Sequence, residues 1–243
     1  PDLLDWLAER FIASGGSIKE MHRLLMHSQA WLMAATWSDE AAAKDPSNRL
    51  LWRHEPRRLD AEEMRDALLL VSGRLMPEIG GSLLLTKDRE YVNNDQSANL
   101  VDYSKPRRSI YLPIVRNAIY DVFTIFDYND PSVPVDARPR TTVAHQALFV
   151  ANSALTRESA VALALRARAD AAAPSGLALA SAGTPLPAIS RAILLAWQRA
   201  ADPEEVEASA LWLARETLGC GEDEAWARFA QALLMSNEFL HLE

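Results

Sequence analysis

Apolar residues recur at helical spacing from the start of this chain. Leu3, Leu7 and Phe11 lie about a turn apart, with Leu4 and Trp6 beside them, and Gly15-Gly16 predicts the stop. Ser17 followed by Glu20 reads as a capping box, in which each side chain satisfies the other residue's free backbone N–H. The helix it opens carries Ile18, Met21, Leu24, Leu25, Ser28, Trp31 and Leu32, a face broad enough to predict burial on more than one side. A turn at Asp45-Pro46-Ser47-Asn48 follows. Asp60 and Glu63 then predict another cap, and Met64, Leu68 and Val71 an inward stripe that Gly73 ends.

Residues 74–106 have no clean period and are broken by Gly80-Gly81, Asn93-Asn94-Asp95 and Lys105-Pro106. A long irregular stretch of this kind is uncommon in a compact domain and is often functional. Arg108 to Leu112 alternate, which predicts an extended segment ended by Pro113. Val115, Ile119, Val122, Phe123 and Phe126 return to helical spacing. Pro131, Pro134 and Pro139 make 127–140 an ordered, turning loop. Thr141 or Thr142 is the expected cap of the next helix, Asn152-Ser153 its break, and Thr156 the cap of an alanine-rich helix to about Asp170. Residues 173–187 have linker composition. Beyond them Ile189, Ile193 and Trp197 begin a helical pair. Asp202-Pro203-Glu204-Glu205 combines a cap, a first-turn proline and acidic residues at a helix start. Ala225, Trp226, Phe229, Leu233 and Leu234 mark the last long helix. The pattern adds up to roughly eight helices and little sheet. The expected fold is all-α: an irregular multi-helix domain with long ordered loops at 74–106 and 127–140. Its main body is 1–172, followed by a linker at 173–187 and a C-terminal helical subdomain, 188–243, packed on the body.

Charge and cysteine content narrow the function classes. A formal net charge of −8 argues against nucleic acid and anionic membrane as partners, since both need a positive field. Cys220 is the single cysteine, so no intrachain disulfide, cysteine-ligated metal or covalent haem motif can form. No apolar run is long enough to insert across a bilayer. No signal peptide opens the chain, and the natural start is expected to lie upstream.

Several segments, taken in order, carry a family resemblance. They are Asn48-Arg49-Leu50-Leu51-Trp52-Arg53, Arg57-Arg58-Leu59-Asp60-Ala61-Glu62, Arg65-Asp66-Ala67-Leu68 and Val71-Ser72-Gly73. Further on come Arg107-Arg108-Ser109-Ile110-Tyr111-Leu112-Pro113, Arg116-Asn117, Phe126-Asp127-Tyr128-Asn129-Asp130-Pro131, Gln146-Ala147-Leu148-Phe149, Asn152-Ser153, Gln231-Ala232-Leu233-Leu234 and Ser236-Asn237-Glu238-Phe239. The sequence resembles the domain of unknown function 1553, also called the planctomycete PSD1 domain. The resemblance implies a typically C-terminal domain of a large exported protein, periplasmic or at the cell surface, with a cytochrome c-like domain upstream. It implies no cofactor in this chain, and any haem would sit on that upstream domain. It supplies no activity and no catalytic residue. Ala144-His145 stands where the family pattern has a Pro-Pro pair, and the stretch after Trp197 lacks its Leu-Gly-Arg.

The residues themselves offer one candidate region. Arg107, Arg108, Arg116 and Arg140 are forks suited to carboxylate, phosphate or sulfate, and Tyr111 could stack on a sugar. With Asn117, Asp127 and Asp130 they would line an anion or glycan cleft. The structural alternative is an internal Arg–Asp network tying long loops to helices. Asp127 and Asp130 could also act as an acid/base pair, although carboxylates at this spacing before a proline more often shape a turn. With Asn129 they offer oxygen ligands for calcium, without the EF-hand spacing. The seven tryptophans read as core anchors. The leading expectation is a non-catalytic binding or scaffolding domain that contacts the upstream domains of its own polypeptide or an anionic glycan. The alternative is an enzyme acting on an anionic polysaccharide with Asp127 and Asp130 as acid and base.

Overall fold

The computed structural model describes residues 2–81, 83–84, 101–116, 118–172 and 186–242. Among them are eleven α-helices, one 3-10 turn and one two-stranded sheet. The all-α expectation holds. Two compact units divide at Arg57/Arg58: one holds residues 1–57 and 242–243, the other residues 58–241.

The first unit contains α1 (Asp2–Ala13), α2 (Ile18–Met26) and α3 (Asp39–Lys44). Gly15 and Gly16 take φ of 69° and 78°, the left-handed geometry that lets the chain reverse between α1 and α2. Ser17 Oγ accepts the Glu20 N–H at 3.3 Å, which is the Ser17 half of the predicted capping box. The helix then ends at Met26 instead of running through Leu32. Ser28 turns the chain by donating its hydroxyl to the Leu25 carbonyl and accepting the Trp31 N–H. The predicted burial of α2 on more than one side does not occur: none of the three helices contains a buried residue. The tryptophan expectation also fails here, because Trp6, Trp31 and Trp37 are exposed and only Trp226 of the seven is buried.

The second unit is built on α4 (Ala61–Val71), α5 (Asp121–Ile125), α6 (Ala144–Asn152), α7 (Ala154–Ala172), α8 (Leu186–Trp197), α9 (Pro203–Cys220), α10 (Glu222–Met235) and α11 (Asn237–Leu240). Strands β1 (Arg57–Arg58) and β2 (His241–Leu242) pair, and the Leu59 N–H donates to the Leu240 carbonyl at 2.8 Å. Helix α7 packs on α10 and α8, and α10 packs on α9. Their contact faces are rich in alanine: Ala160, Ala164 and Ala167 on α7, and Ala225, Ala227 and Ala230 on α10, are all buried. Leu163, Ile189, Ile193, Trp226, Leu233 and Leu234 fill the space around them. Each fully buried large side chain there contributes about 1.5–3 kcal/mol of transfer free energy. Arg157 reaches Glu224 at 2.5 Å, and Arg168 reaches Glu222 and Asp223 at 2.7 Å. These pairs fix the acidic first turn of α10, where negative charge also suits the helix dipole.

Three further expectations are corrected. Arg108–Leu112 is not extended but folds into a 3-10 turn at Ser109–Tyr111, because Asp66 Oδ1 captures both the N–H and the hydroxyl of Ser109, at 2.8 and 2.7 Å. Neither Thr141 nor Thr142 caps α6. Gln146 Oε1 accepts the Val143 N–H at 3.2 Å, and the Thr141 hydroxyl is turned to Asp127. Ser153 rather than Thr156 opens α7, accepting the Thr156 N–H at 3.2 Å, and α6 and α7 meet there at a 54° bend. Residues 173–185 of the expected linker lie outside the described residues, while Leu186 and Pro187 already belong to α8.

Candidate functional site

The second unit carries a chain of arginine-centred contacts that organises its loops. Arg65 points from α4 into the interior and is 1% exposed. Its guanidinium donates to the carbonyls of Arg107 at 2.6 Å, Lys105 at 2.8 Å and Tyr103 at 3.4 Å. One side chain thereby gathers the returning loop at 103–107 and meets its buried backbone acceptors. Asp66 lies 3.7 Å from Arg65 and holds Ser109. Burial lowers the Arg65 pKa, against the pull of Tyr120 and Asp66.

Asp127 is the second anchor. Its φ of 60° is left-handed, a conformation Asp tolerates better than most residues. Its carboxylate accepts the Arg58 guanidinium at 2.7 Å, the Thr141 N–H at 2.8 Å and the Thr141 hydroxyl at 2.9 Å. Gln146 Nε2 adds a longer contact at 3.4 Å and donates to the Ile125 carbonyl at 3.0 Å. Burial alone would raise the Asp127 pKa, but the Thr141 donors and the Arg58 charge outweigh it and hold the carboxyl below its ordinary value. Around this centre Arg138 pairs bidentately with Glu62 at 2.6 and 2.8 Å and lies over the Tyr128 ring. Arg140 meets Asp60 at 3.2 Å.

The sequence-predicted site residues fall into two groups. Arg107, Asp127, Asp130 and Arg140 serve the fold. Arg107 is buried, lies 5.1 Å from the Tyr111 ring centroid and donates to the carbonyls of Glu78, Gly80 and Gly81. Asp130 closes a turn by accepting the Ser132 N–H at 2.8 Å. Arg108 and Arg116 are exposed and have no ion-pair partner among the described residues. Asn117 lies outside the described residues. Asp127, with its oxygens already engaged by cationic and N–H donors, is poorly placed to give up a proton in an acid/base pair. A calcium ion there would also have to share the carboxylate with the Arg58 guanidinium. Among the described residues no group of three or more His, Cys, Asp or Glu side chains could hold a metal ion.

Arg58, Glu62, Arg65, Asp66, Thr141 and Gln146 were not singled out as candidates by residue type or spacing. Their signal was present, because most of them lie in the segments that carry the family resemblance. A model of a family described as PSD1, protein of unknown function (DUF1553), matches residues 1–213. The chain belongs to this family. No curated protein and no solved structure matches it. The PSD1 match begins in the exposed N-terminal helices, spans the whole arginine network and reaches into α9.

Proposed function

We propose that this PSD1 domain is a non-catalytic scaffolding domain of a larger exported protein, and that it docks a companion domain through its N-terminal unit. The carrying observation is the apolar surface of that unit. Ile12 is 76% exposed, Leu32 69% and Leu50 83%, and Leu3, Leu4, Ile18, Trp31 and Trp37 are exposed with them. Helices α1 to α3 bury nothing of their own, so this unit lacks the core that stabilises a segment of such length. Exposed apolar surface concentrated in this way marks an interaction site. Export and the companion domains come from the family resemblance, which also supports a cytochrome-like domain as the neighbour.

Hydrogen exchange tests the reading. Amides of α1 and α2 are expected to exchange quickly in this chain alone and to gain protection within the complete polypeptide. Leu4→Glu or Leu24→Glu should abolish that gain and leave residues 58–241 unchanged. Equal exchange in both settings would refute docking through this unit.

A second reading rests on Arg108 and Arg116, two exposed guanidinium groups that meet no carboxylate among the described residues. They suit an anionic glycan. A sulfated glycan should then raise the melting temperature in a salt-sensitive way, and Arg108→Ala together with Arg116→Ala should remove the shift. No shift in the parent chain would exclude this contact.

A further inference from the structure

Helix α9 presents to solvent a stripe with no role in the core: Glu204, Glu207, Ala208, Leu211, Ala214, Arg215 and Leu218 are all exposed. Their spacing follows one helical face over four turns. Leu211 is 69% exposed and Leu218 90% exposed, so both leucines stand clear of the chain's own packing. Beside the first turns of the stripe runs a groove between α8 and α9. It is lined by Leu186, Ala201, Pro203, Val206, Glu207 and Leu211.

We propose that this face binds a second copy of the same chain, with the two α9 helices antiparallel about Leu211. The argument is the internal complementarity of the stripe. In an antiparallel pair centred on one residue, the position four before it meets the position four after it on the other helix. Glu207 therefore faces Arg215 of the second copy, and twofold symmetry makes the same pair again. Three residues either side of the centre, Ala208 faces Ala214, small against small, which lets the helices approach closely. Seven residues either side, Leu218 of the second copy arrives at the turn of Glu204, beside the groove that Pro203, Val206 and Leu211 line. Leu211 packs on its own symmetry mate. Arg215 can pair in this way, since 78% of its side chain is exposed and its ion-pair contact among the described residues is a 3.9 Å approach to Glu216. A parallel arrangement would instead bring Glu207 near Glu207 and Arg215 near Arg215, a like-charge arrangement that disfavours it. The 18 residues of α9 span about 27 Å, long enough for the pairs seven residues either side of Leu211 to form along one helix contact. This inference concerns α9 and the groove beside it, and does not rest on the docking role of the N-terminal unit.

Sedimentation velocity of the chain over a dilution series tests it. A monomer–dimer equilibrium is expected. Leu218→Glu should leave a monomer with unchanged helicity, the residue being outside the core. Glu207→Arg alone and Arg215→Glu alone should each raise the dimer dissociation constant by about tenfold or more. The double variant Glu207→Arg/Arg215→Glu should restore dimerisation, because the swapped charges are again opposite. A monomeric parent at every concentration overturns the proposal. So does a dimer that survives Leu218→Glu, or a double variant no tighter than the single ones.

Discussion

Asp127 and Arg140 show how little a residue's type reveals about its weight in the fold. Both look like surface charges in a proline-rich loop. The Arg58–Asp127 pair is 7% and 15% exposed and joins β1 to the segment leading into α6, whereas the Arg140–Asp60 pair is 49% and 22% exposed. Removing the carboxylate of a buried pair takes an ionic partner from a desolvated charge, which costs about 3 kcal/mol or more. Exposed pairs contribute at most about 1 kcal/mol. Asp127→Asn is thus expected to lower the urea midpoint strongly, and Arg140→Ala only slightly. Equal losses would mean that Asp127 does not anchor the loop.

At the scale of elements, small side chains decide how the helices of the second unit meet. The alanine-rich composition of α7 looks in the sequence like mere helix propensity. The structure gives those alanines a packing role, with Ala160, Ala164 and Ala167 buried between α7 and its neighbours. Enlarging one forces the helices apart. Ala160→Leu is expected to destabilise the chain by about 1–3 kcal/mol. Leu165→Ala, on the exposed face of the same helix, should stay within about 0.5 kcal/mol of the parent. Thermal melts of the two variants distinguish the faces, and a neutral Ala160→Leu would remove the close-packing account. Helix starts were legible where one chemical signal stood alone, as at Ser17, Asp60 and Asp202, each an N-cap in the structure. They were misread where two candidates competed, as at Thr141, whose hydroxyl is claimed by a carboxylate 14 residues earlier in the chain.

At the scale of the whole molecule, charge pairing ties distant segments and sets the acid limit of stability. Arg199 meets Glu205 at 2.6 and 2.8 Å and Glu238 at 2.5 and 3.1 Å, joining the end of α8 to the starts of α9 and α11. The Arg199 hydrogen bonds push the Glu205 pKa down from 4.5 to about 2. The unfolded chain therefore binds more protons than the folded one between these values. Stability that Glu205 contributes is complete above its ordinary pKa and is lost as the pH falls towards 2. Asp127, also depressed, acts in the same direction. Urea midpoints should be flat through neutral pH and fall below about pH 4.5, with a shallower fall in Glu205→Gln. An equally steep fall in that variant would remove Glu205 from the acid response.

The sequence by itself determined the helical class, the PSD1 family and several helix starts, because periodicity and capping act within a few residues of chain. The tertiary structure decided what the charges do and where the units divide. Whether an arginine such as Arg107 or Arg108 turns inward to carbonyls or outward to solvent depends on acceptors tens of residues away, which no local spacing encodes. The exposed leucines of α1, α2 and α9 obey the same helical period as buried ones. Period tells which residues share a face, and only packing tells whether the chain itself covers that face or leaves it for a partner.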